Sequence, residues 1–321
     1  MTGRRNAAAL WTIVVLAVLA GMSIVPTPYY LIAPGSAVKL ADRITVRAHR
    51  APARRYYLTD VTIARASVLL LAGRLLPGTR VVRRETVLPA RQNARSHDRM
   101  LVDAMDDSQN VAALVAERAA GYRIDVAPPR FIVGDFAAAS RARGILRSGD
   151  RILRIGGRAV RGFDDVARAV RPLVPGTAVR LTIGRDGVPR EVVVPTIASA
   201  GPARLGIFIR ERDVAAKLPV PVRFDLGDIS GSSGGLMFAL QIYAALHGGP
   251  AGDAVAGTGT LAPDGRVGRI EGTPQKLIAA KRAGARVFLV PVANYAEISG
   301  ERDVRVVPVA NFADALRAIG G

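Results

Sequence analysis

Residues 228–249 read DISGSSGGLMFALQIYAALHGG, a glycine- and serine-rich loop that runs directly into an apolar helix predicted from about Leu236 to His247. Backbone N–H groups at the start of a helix lack intrahelical acceptors and can stabilise a negatively charged oxygen. Ser233 in this loop is therefore the candidate nucleophile of an acyl-transfer reaction, and the glycines allow a substrate backbone to approach closely. The candidate supporting and oxyanion residues beside it are Gly231, Ser232 and Gly234.

A second segment, residues 256–291, reads AGTGTLAPDGRVGRIEGTPQKLIAAKRAGARVFLVP. It predicts a hairpin turning at Asp264-Gly265, then a helix, then a buried strand from Val287 to Val290. Thr273 is predicted as the N-cap of that helix, and Gly284 is predicted to end it.

The predicted helix carries Lys276 in its first turn, where the positive end of the helix dipole and burial both disfavour the ammonium form. A lysine penalised in this way loses its proton more readily and becomes a candidate general base. Each element alone is a weak signal, because glycine- and serine-rich loops are often linkers and helix lysines often face solvent. The chain has 45 Lys plus Arg, of which only positions 39, 217, 276 and 281 are lysine, and this scarcity gives Lys276 more weight.

Together the two segments resemble the proteolytic domain of Lon-type proteases, which use a serine–lysine dyad. Gly231, Ser233 and Gly235 match the nucleophile motif of that family, and Lys276 lies in its lysine motif. The resemblance implies that the chain is a serine endopeptidase, that Ser233 and Lys276 are catalytic, and that Thr258 supports the lysine. Between the motifs, the residues that keep the family's spacing are Thr258-Gly259, Gly265, Val267, Ile270 and Gly272.

Residues 122–198 predict a compact β-rich module of strand, turn, strand, helix and hairpin. Gly144-Ile145, Gly149-Asp150, Ile152 and Ile155, followed by a glycine turn and a helix, resemble a PDZ domain of the bacterial protease-associated kind. PDZ domains bind an extended peptide by strand addition beside that helix; a PDZ-like fold that serves only as a spacer is the alternative. The usual Gly-Leu-Gly-Phe-type loop is not visible, and PPRFIVGDF is taken to stand in its place. The residues assigned to peptide binding are Phe131, Ile132, Val133, Val166 and Val170.

Several positions depart from the Lon-type pattern. Ser232 stands where proline is common, Gly234 where alanine is common, and Ser230 where an acid often precedes the serine motif. A double glycine is usual at Glu271-Gly272-Thr273. An inactive protease fold would show such departures, so the alternative function is a catalytically inactive, membrane-tethered PDZ/peptide-binding scaffold.

The stretch from Ala7 to Val25 carries no charged residue and is long enough, as a helix, to cross the hydrocarbon core of a bilayer. Arg4 and Arg5 precede it, so the positive-inside tendency predicts a cytoplasmic N-terminus and domains outside the cytoplasm, in a single-pass cell-membrane protein. A cleaved signal peptide ending at Val18-Leu19-Ala20 and a buried core helix are the alternatives.

The fold class predicted from all segments is α+β. The blocks TPYYLIAPG, YYLTDVTIARAS and MDDSQNVA extend the resemblance to bacterial membrane-anchored, PDZ-containing Lon-type peptidases. This resemblance also implies a ring-shaped homo-oligomer. The predicted divisions are a cytoplasmic tail 1–6, a transmembrane anchor 7–25, an N-terminal extracytoplasmic region 26–121, a PDZ-like domain 122–198 and a Lon-type protease domain 199–321.

The composition limits the remaining functions. A formal charge of +19 would suit an anionic partner, but the sequence has no basic-aromatic strip, so no nucleic acid is expected and the partners are protein or peptide substrates. The chain has no cysteine and only three histidines, so neither a metal nor a cofactor is predicted. None of the four lysines follows a glycine, so there is no Walker A motif. We therefore expect ATP-independent cleavage of exposed or unfolded segments.

Overall fold

A computed structural model describes residues 11–320, except 12, 15, 19, 88–93, 126–129, 138, 162, 199–201, 213–217, 228 and 249–250. The chain forms two compact units. The first unit combines Met1–Arg123 with Leu218–Gly321, and the second is Ile124–Lys217. These divisions differ from the predicted ones, because the segment predicted as a separate N-terminal region belongs to the same unit as the C-terminal part of the chain.

A six-stranded mixed sheet forms the centre of the first unit. Its two longest strands come from the N-terminal part of the chain and are antiparallel to each other, whereas the strands from the C-terminal part are parallel. Across the sheet the order is β16 (Arg305–Val309), β15 (Val287–Pro291), β12 (Val255–Gly257), β3 (Tyr56–Ser67), β1 (Pro26–Lys39) and β4 (Arg80–Arg83).

Every residue of β15 is buried, which confirms the predicted buried strand. A parallel strand covered on both faces reads as a continuous apolar run rather than an alternating one, as VFLVP does. Strand β3 pairs with β12 in parallel, although nearly two hundred residues separate Leu58 from Gly257. This pairing makes the N-terminal and C-terminal segments one structural unit.

Two helices pack together beside the sheet: α2 (Ala94–Ala119) and α4 (Gly235–His247). Helix α4 confirms the helix predicted from about Leu236 to His247. Most of its residues are buried, because a helix that is apolar on every side has no face suited to water. The other helices of this unit are α1 (Arg84–Val87), α5 (Thr273–Arg282) and α6 (Phe312–Ala318).

The start of α5 differs from the prediction. The N-cap is Gly272, whose φ of 74° favours glycine, and no side chain caps the helix. Thr273 is instead the first helical residue, and its hydroxyl is buried without a hydrogen-bond partner among the described residues. The predicted end is confirmed, because the Gly284 N–H donates to the Lys281 carbonyl and the Ala285 N–H donates to the Ala280 carbonyl, as in a Schellman motif.

Two short ribbons complete the strands of the first unit. Strand β2 (Ile44–Val46) pairs with β11 (Val222–Phe224), and β13 (Thr260–Leu261) pairs with β14 (Val267–Gly268) around the predicted Asp264-Gly265 turn. Short 3-10 helices lie at Leu40–Asp42, Leu70–Leu75, Ser232–Gly234 and Val292–Glu297.

The second unit has its own sheet and core. Its helix, α3, spans Phe163–Val170, and Asp150 pairs with Arg185 at 2.7 Å. The predicted turn at Asp186-Gly187 joins the last two strands of the predicted module. The strands, in order across the sheet, are β10 (Ile207–Arg212), β5 (Arg130–Phe136), β6 (Arg151–Ile155), β8 (Ala178–Arg185) and β9 (Val188–Pro195), with β7 (Arg158–Ala159) paired to β6.

The N-terminal segment is helical at the described residues between 11 and 24. The predicted tail 1–6 and positions 7–10, 12, 15 and 19 of the predicted anchor lie outside the described residues. Among the residues that are described, no helix combines the length and apolar character needed to cross a membrane. The mixed α+β class is confirmed.

Candidate active site

The loop in front of α4 presents Ser233 within a 3-10 turn. The Gly231 N–H donates to the Leu101 carbonyl at 3.1 Å, and the Gly235 N–H donates to the Ser232 carbonyl. Gly231 was predicted to support the oxyanion, but its N–H donates to a carbonyl of α2 and is not free to bind an oxyanion. Because the first N–H groups of a helix have no intrahelical acceptor, the N–H groups of Ser232, Ser233 and Gly234 remain the donors at this helix start.

The backbone at Gly234 has no room for a side chain. A Cβ atom there would lie 2.7 Å from Cζ of Phe238 and 2.9 Å from Cδ1 of Leu58. Both neighbours are fully buried, so neither has free space to move into. Glycine, and not the alanine common in Lon-type proteases, is therefore the residue that fits against Phe238 and Leu58 at this position.

Ser233 and Lys276 meet in the first unit. Nζ of Lys276 lies 2.6 Å from Oγ of Ser233 and 3.1 Å from Oγ1 of Thr258. The Thr258 hydroxyl donates to the Ser233 carbonyl at 3.1 Å, and its N–H donates to the Leu289 carbonyl. Thr258, directly after β12, therefore contacts both the amine of Lys276 and the backbone carbonyl of Ser233.

The amine of Lys276 is almost completely buried, with 3% of the residue exposed. Burial lowers the pKa of Lys276 from its ordinary 10.5 to about 8, because the ammonium form loses its hydration. The nearby charge of Asp60 acts in the opposite direction. At pH 7 a pKa of 8 leaves about one tenth of the lysine neutral, whereas an ordinary lysine is almost entirely charged.

Asp60 and Ser108 contribute to the site and were missed by the sequence reasoning. The carboxylate of Asp60 accepts hydrogen bonds from the N–H and the hydroxyl of Ser36, which fix it on β3. The Ser108 hydroxyl of α2 donates to the Ser232 carbonyl at 3.2 Å. Two features of the sequence could have indicated them: Asp60 is the lone acid in the apolar strand YYLTDVTIA, and Ser108 is a serine on the buried face of α2.

Two known protein families match parts of the chain. A family model described as the Lon protease (S16) C-terminal proteolytic domain matches residues 208–315, and a PDZ family model matches residues 122–196. This chain carries a Lon-type proteolytic domain. The predicted Lon-type proteolytic domain and the predicted PDZ domain are thus confirmed, and the first of them supports a serine peptidase.

Relatives share only parts of their length with this chain. A Lon protease of Neorickettsia sennetsu is 32% identical over 114 residues, which are 34% of this chain and 13% of that protein. An archaeal Lon protease of Archaeoglobus fulgidus is 23% identical over 287 residues, which are 86% of this chain and 41% of that protein. The chain therefore spans less than half the length of either relative.

A solved structure is also similar to part of this chain. The crystal structure of the PDZ domain of an SdrC-like protein from Listeria monocytogenes is 18% identical and covers 25% of this chain and 85% of that one, with a TM-score of 0.24.

The second unit has a groove of about 640 Å³ between α3 and the segment that leads into β10. Val166 and Val170, which were assigned to peptide binding, line this groove, whereas Phe131, Ile132 and Val133 do not. Their assignment to the peptide-binding strand is corrected, because β5 is paired on both sides, by β10 and β6.

The edge strand beside α3 is β10, which follows Leu205-Gly206. The segment Leu205-Gly206-Ile207-Phe208 resembles the Gly-Leu-Gly-Phe-type loop that was sought near residue 131. This segment lies after the final hairpin, beyond residue 198, where the domain was predicted to end. The loop was therefore not sought in this segment.

Within the described part of the chain, no group of three or more His, Asp or Glu side chains is placed to hold a metal ion.

Proposed function

We propose that this chain is a serine endopeptidase in which Ser233 is the nucleophile and Lys276 the general base. The observation that carries the proposal is the 2.6 Å contact between Oγ of Ser233 and the buried Nζ of Lys276. A hydroxyl becomes nucleophilic when a neutral base accepts its proton, and burial provides that base by lowering the pKa of the lysine.

In the first half-reaction, Oγ of Ser233 bonds to the carbonyl carbon of the scissile peptide while its proton moves to Lys276. The backbone N–H groups of Ser233 and Gly234 stabilise the oxyanion, Ser232 contributes its N–H at the same helix start, and Thr258 orients the amine. The C–N bond then breaks, and the leaving amine takes the proton from Lys276.

In the second half-reaction, a water molecule gives a proton to Lys276 and its oxygen attacks the acyl carbon. The bond from that carbon to Oγ of Ser233 breaks, and Lys276 returns the proton to the serine. No other acid or base is needed, and no cofactor takes part.

The substrates we propose are exposed or unfolded protein segments, cut without ATP. The chain's sequence has no Walker A motif to power unfolding. The groove beside β10 would hold such a segment as an added strand, since an unpaired strand edge offers backbone donors and acceptors. Gly206 lies at the start of this edge, and Phe208 on β10 is 56% exposed.

We also propose that the chain is a single-pass cell-membrane protein with an N-terminal anchor and with both domains outside the cytoplasm. The support is the uncharged stretch 7–25 behind Arg4 and Arg5. Two exposed leucines outside this stretch agree with the proposed anchor: Leu75 is 80% and Leu76 is 63% exposed. They follow Leu69, whose N–H donates to the carbonyl of Met22 near the end of the stretch. Membrane fractionation with external protease digestion tests this topology.

A ring-shaped homo-oligomer remains a prediction from the resemblance to Lon-type proteases. Light scattering of the detergent-solubilised chain would measure its mass and decide between a ring and a monomer.

Digestion of an unfolded protein by the purified full-length chain, without nucleotide, tests the activity. We expect cleavage by the wild type and none by Ser233→Ala, while the folded form of the same substrate survives. Ser299→Ala, a change of the same kind outside the site, should cut normally. Binding of the unfolded substrate without any Ser233-dependent cleavage would favour the scaffold alternative.

A further inference from the structure

A cavity of about 420 Å³ lies between α2 and the segment that leads to the nucleophile. This volume is within the range of cavities that bind small ligands, about 300–1,000 Å³. Its apolar walls are formed by Leu101 and Met105 on one side and by Leu226 and Ile229 on the other. The cavity therefore suits an apolar group.

The walls of the cavity are fastened to the loop that carries Ser233. Ser230, three residues before the nucleophile, lines the cavity. The Gly231 N–H donates to the carbonyl of Leu101, which is itself a wall residue. The Ser108 hydroxyl, one helical turn beyond Met105, donates to the Ser232 carbonyl. The cavity is therefore held next to the loop that carries Ser233.

Among the described wall residues, Asp106 carries a negative charge. Asp106, on α2, lines the cavity and is exposed to solvent, whereas its neighbour Met105 is 5% exposed. An apolar channel next to a solvated carboxylate matches a side chain with an apolar stem and a cationic tip. Lysine and arginine bury their methylene stems along apolar surface and keep the charged group in water.

We propose that this cavity is the specificity pocket for the substrate residue next to the scissile bond, and that it selects lysine or arginine through Asp106. The proposal rests on the peptidase function proposed for Ser233. It gives that function a substrate class: unfolded segments with basic residues at the cleavage point. The apolar walls bind the stem, and Asp106 discriminates between a cationic and a neutral tip.

Four fluorogenic peptides that differ only at the residue on the acyl side of the cleaved bond test this assignment. That residue is lysine, arginine, uncharged norleucine with the same stem, or glutamate. We expect kcat/KM for lysine to exceed that for norleucine about tenfold, as one unscreened charge pair near a protein surface allows. Glutamate should be the poorest.

Asp106→Asn should bring the lysine-to-norleucine ratio close to one by lowering kcat/KM for the lysine peptide. Asp106→Lys should reverse the order and favour glutamate. Asp253→Asn changes another exposed acid of the first unit, which does not line the cavity; it is the matched control and should keep the wild-type ratio. Thermal unfolding of each variant shows whether it is folded.

If Asp106→Asn and Asp106→Lys are folded, still cleave, and keep the wild-type lysine-to-norleucine ratio of kcat/KM, the proposed specificity pocket is wrong. The proposed peptidase function is not affected by that result. A wild type that prefers glutamate leads to the same conclusion. Absence of Ser233-dependent cleavage of all four peptides overturns the peptidase, and the pocket with it.

Discussion

The two units each contain a candidate binding region, and these regions are built in opposite ways. In the first unit, Ser233, Thr258 and Lys276 bring polar atoms together inside the core, where Lys276 is 3% exposed. In the second unit, the groove beside β10 consists of an open strand edge and apolar side chains. The buried region requires particular residue types, whereas the groove uses the backbone, which every residue supplies. A sequence therefore reveals the first kind of site more readily than the second.

The largest effect should follow from replacing Lys276 by a base that keeps its proton. Lys276→Arg retains the positive charge, but arginine does not deprotonate near neutral pH, so Ser233 has no acceptor for its proton. We expect kcat to fall at least ~10³-fold in a peptide-cleavage assay.

Lys281→Arg is the matched control on the same helix, where Lys281 pairs with Glu301 and Asp303. It should keep wild-type activity. Equal losses in Lys276→Arg and Lys281→Arg would show that the helix, and not the base, had been disturbed.

The buried lysine should also reduce stability. The unfolded chain binds the Lys276 proton more tightly, since the folded pKa is about 8 against 10.5. The resulting penalty, roughly 3 kcal/mol, is complete below pH 8 and disappears as the pH rises through 10.5. Lys276→Met removes it and also loses the hydrogen bonds of the amine, so we expect a net stabilisation of about 1–3 kcal/mol at pH 7.

Urea unfolding at pH 7 and near pH 10 measures this difference, which should shrink at the higher pH. A Lys276→Met variant that is less stable than the wild type at pH 7 would contradict the low pKa.

A smaller loss should result from removing the hydroxyl that holds the amine. Thr258→Val keeps the shape of the side chain but removes its contacts with Lys276 and with the Ser233 carbonyl. We expect kcat to fall about 10- to 100-fold with little change in KM, because the hydroxyl acts on the base and not on substrate binding. A change confined to KM would assign Thr258 to substrate binding instead.

The smallest effect should come from the groove. Gly206 has a φ of 70°, and a Cβ there would lie 2.9 Å from Cδ1 of Ile197, so Gly206→Val should distort the segment entering β10. We expect KM for unfolded proteins to rise about 3- to 10-fold, while short peptides are cut normally.

Gly187→Val is the control, since Gly187 has a similar φ of 79° in the distal hairpin of the same unit, with open space around its Cβ position. Equal effects of the two variants on protein substrates would mean that the groove has no part in binding.

The contrast between the regions also explains what the sequence could predict. The loop before α4, Lys276 and the strand β15 were predictable because local signals specify them: glycines, a rare lysine and an apolar run. Asp60 was missed because its proximity to Lys276 arises from the parallel pairing of β3 with β12, which no local pattern records.

The groove was assigned to the wrong strand for a related reason. The pattern of β5 is that of any buried strand, and only the pairing of β10 with β5 shows which of the two lies at the edge. At the start of α5, Thr273 suits an N-cap by composition, but the positive φ of Gly272 moves the helix start by one residue. Backbone conformation and non-local pairing account for these errors.

The most direct test of the account is the pH dependence of Ser233 acylation by a serine-reactive probe, followed by mass spectrometry of the full-length chain. We predict that the rate rises with pH, is half-maximal near the pKa of Lys276, about 8, and levels off above it. In Lys276→Met the probe should leave Ser233 almost unlabelled. A rate that is independent of pH between 6 and 10, or equal labelling of Ser233 in Lys276→Met, would contradict a neutral lysine as the base.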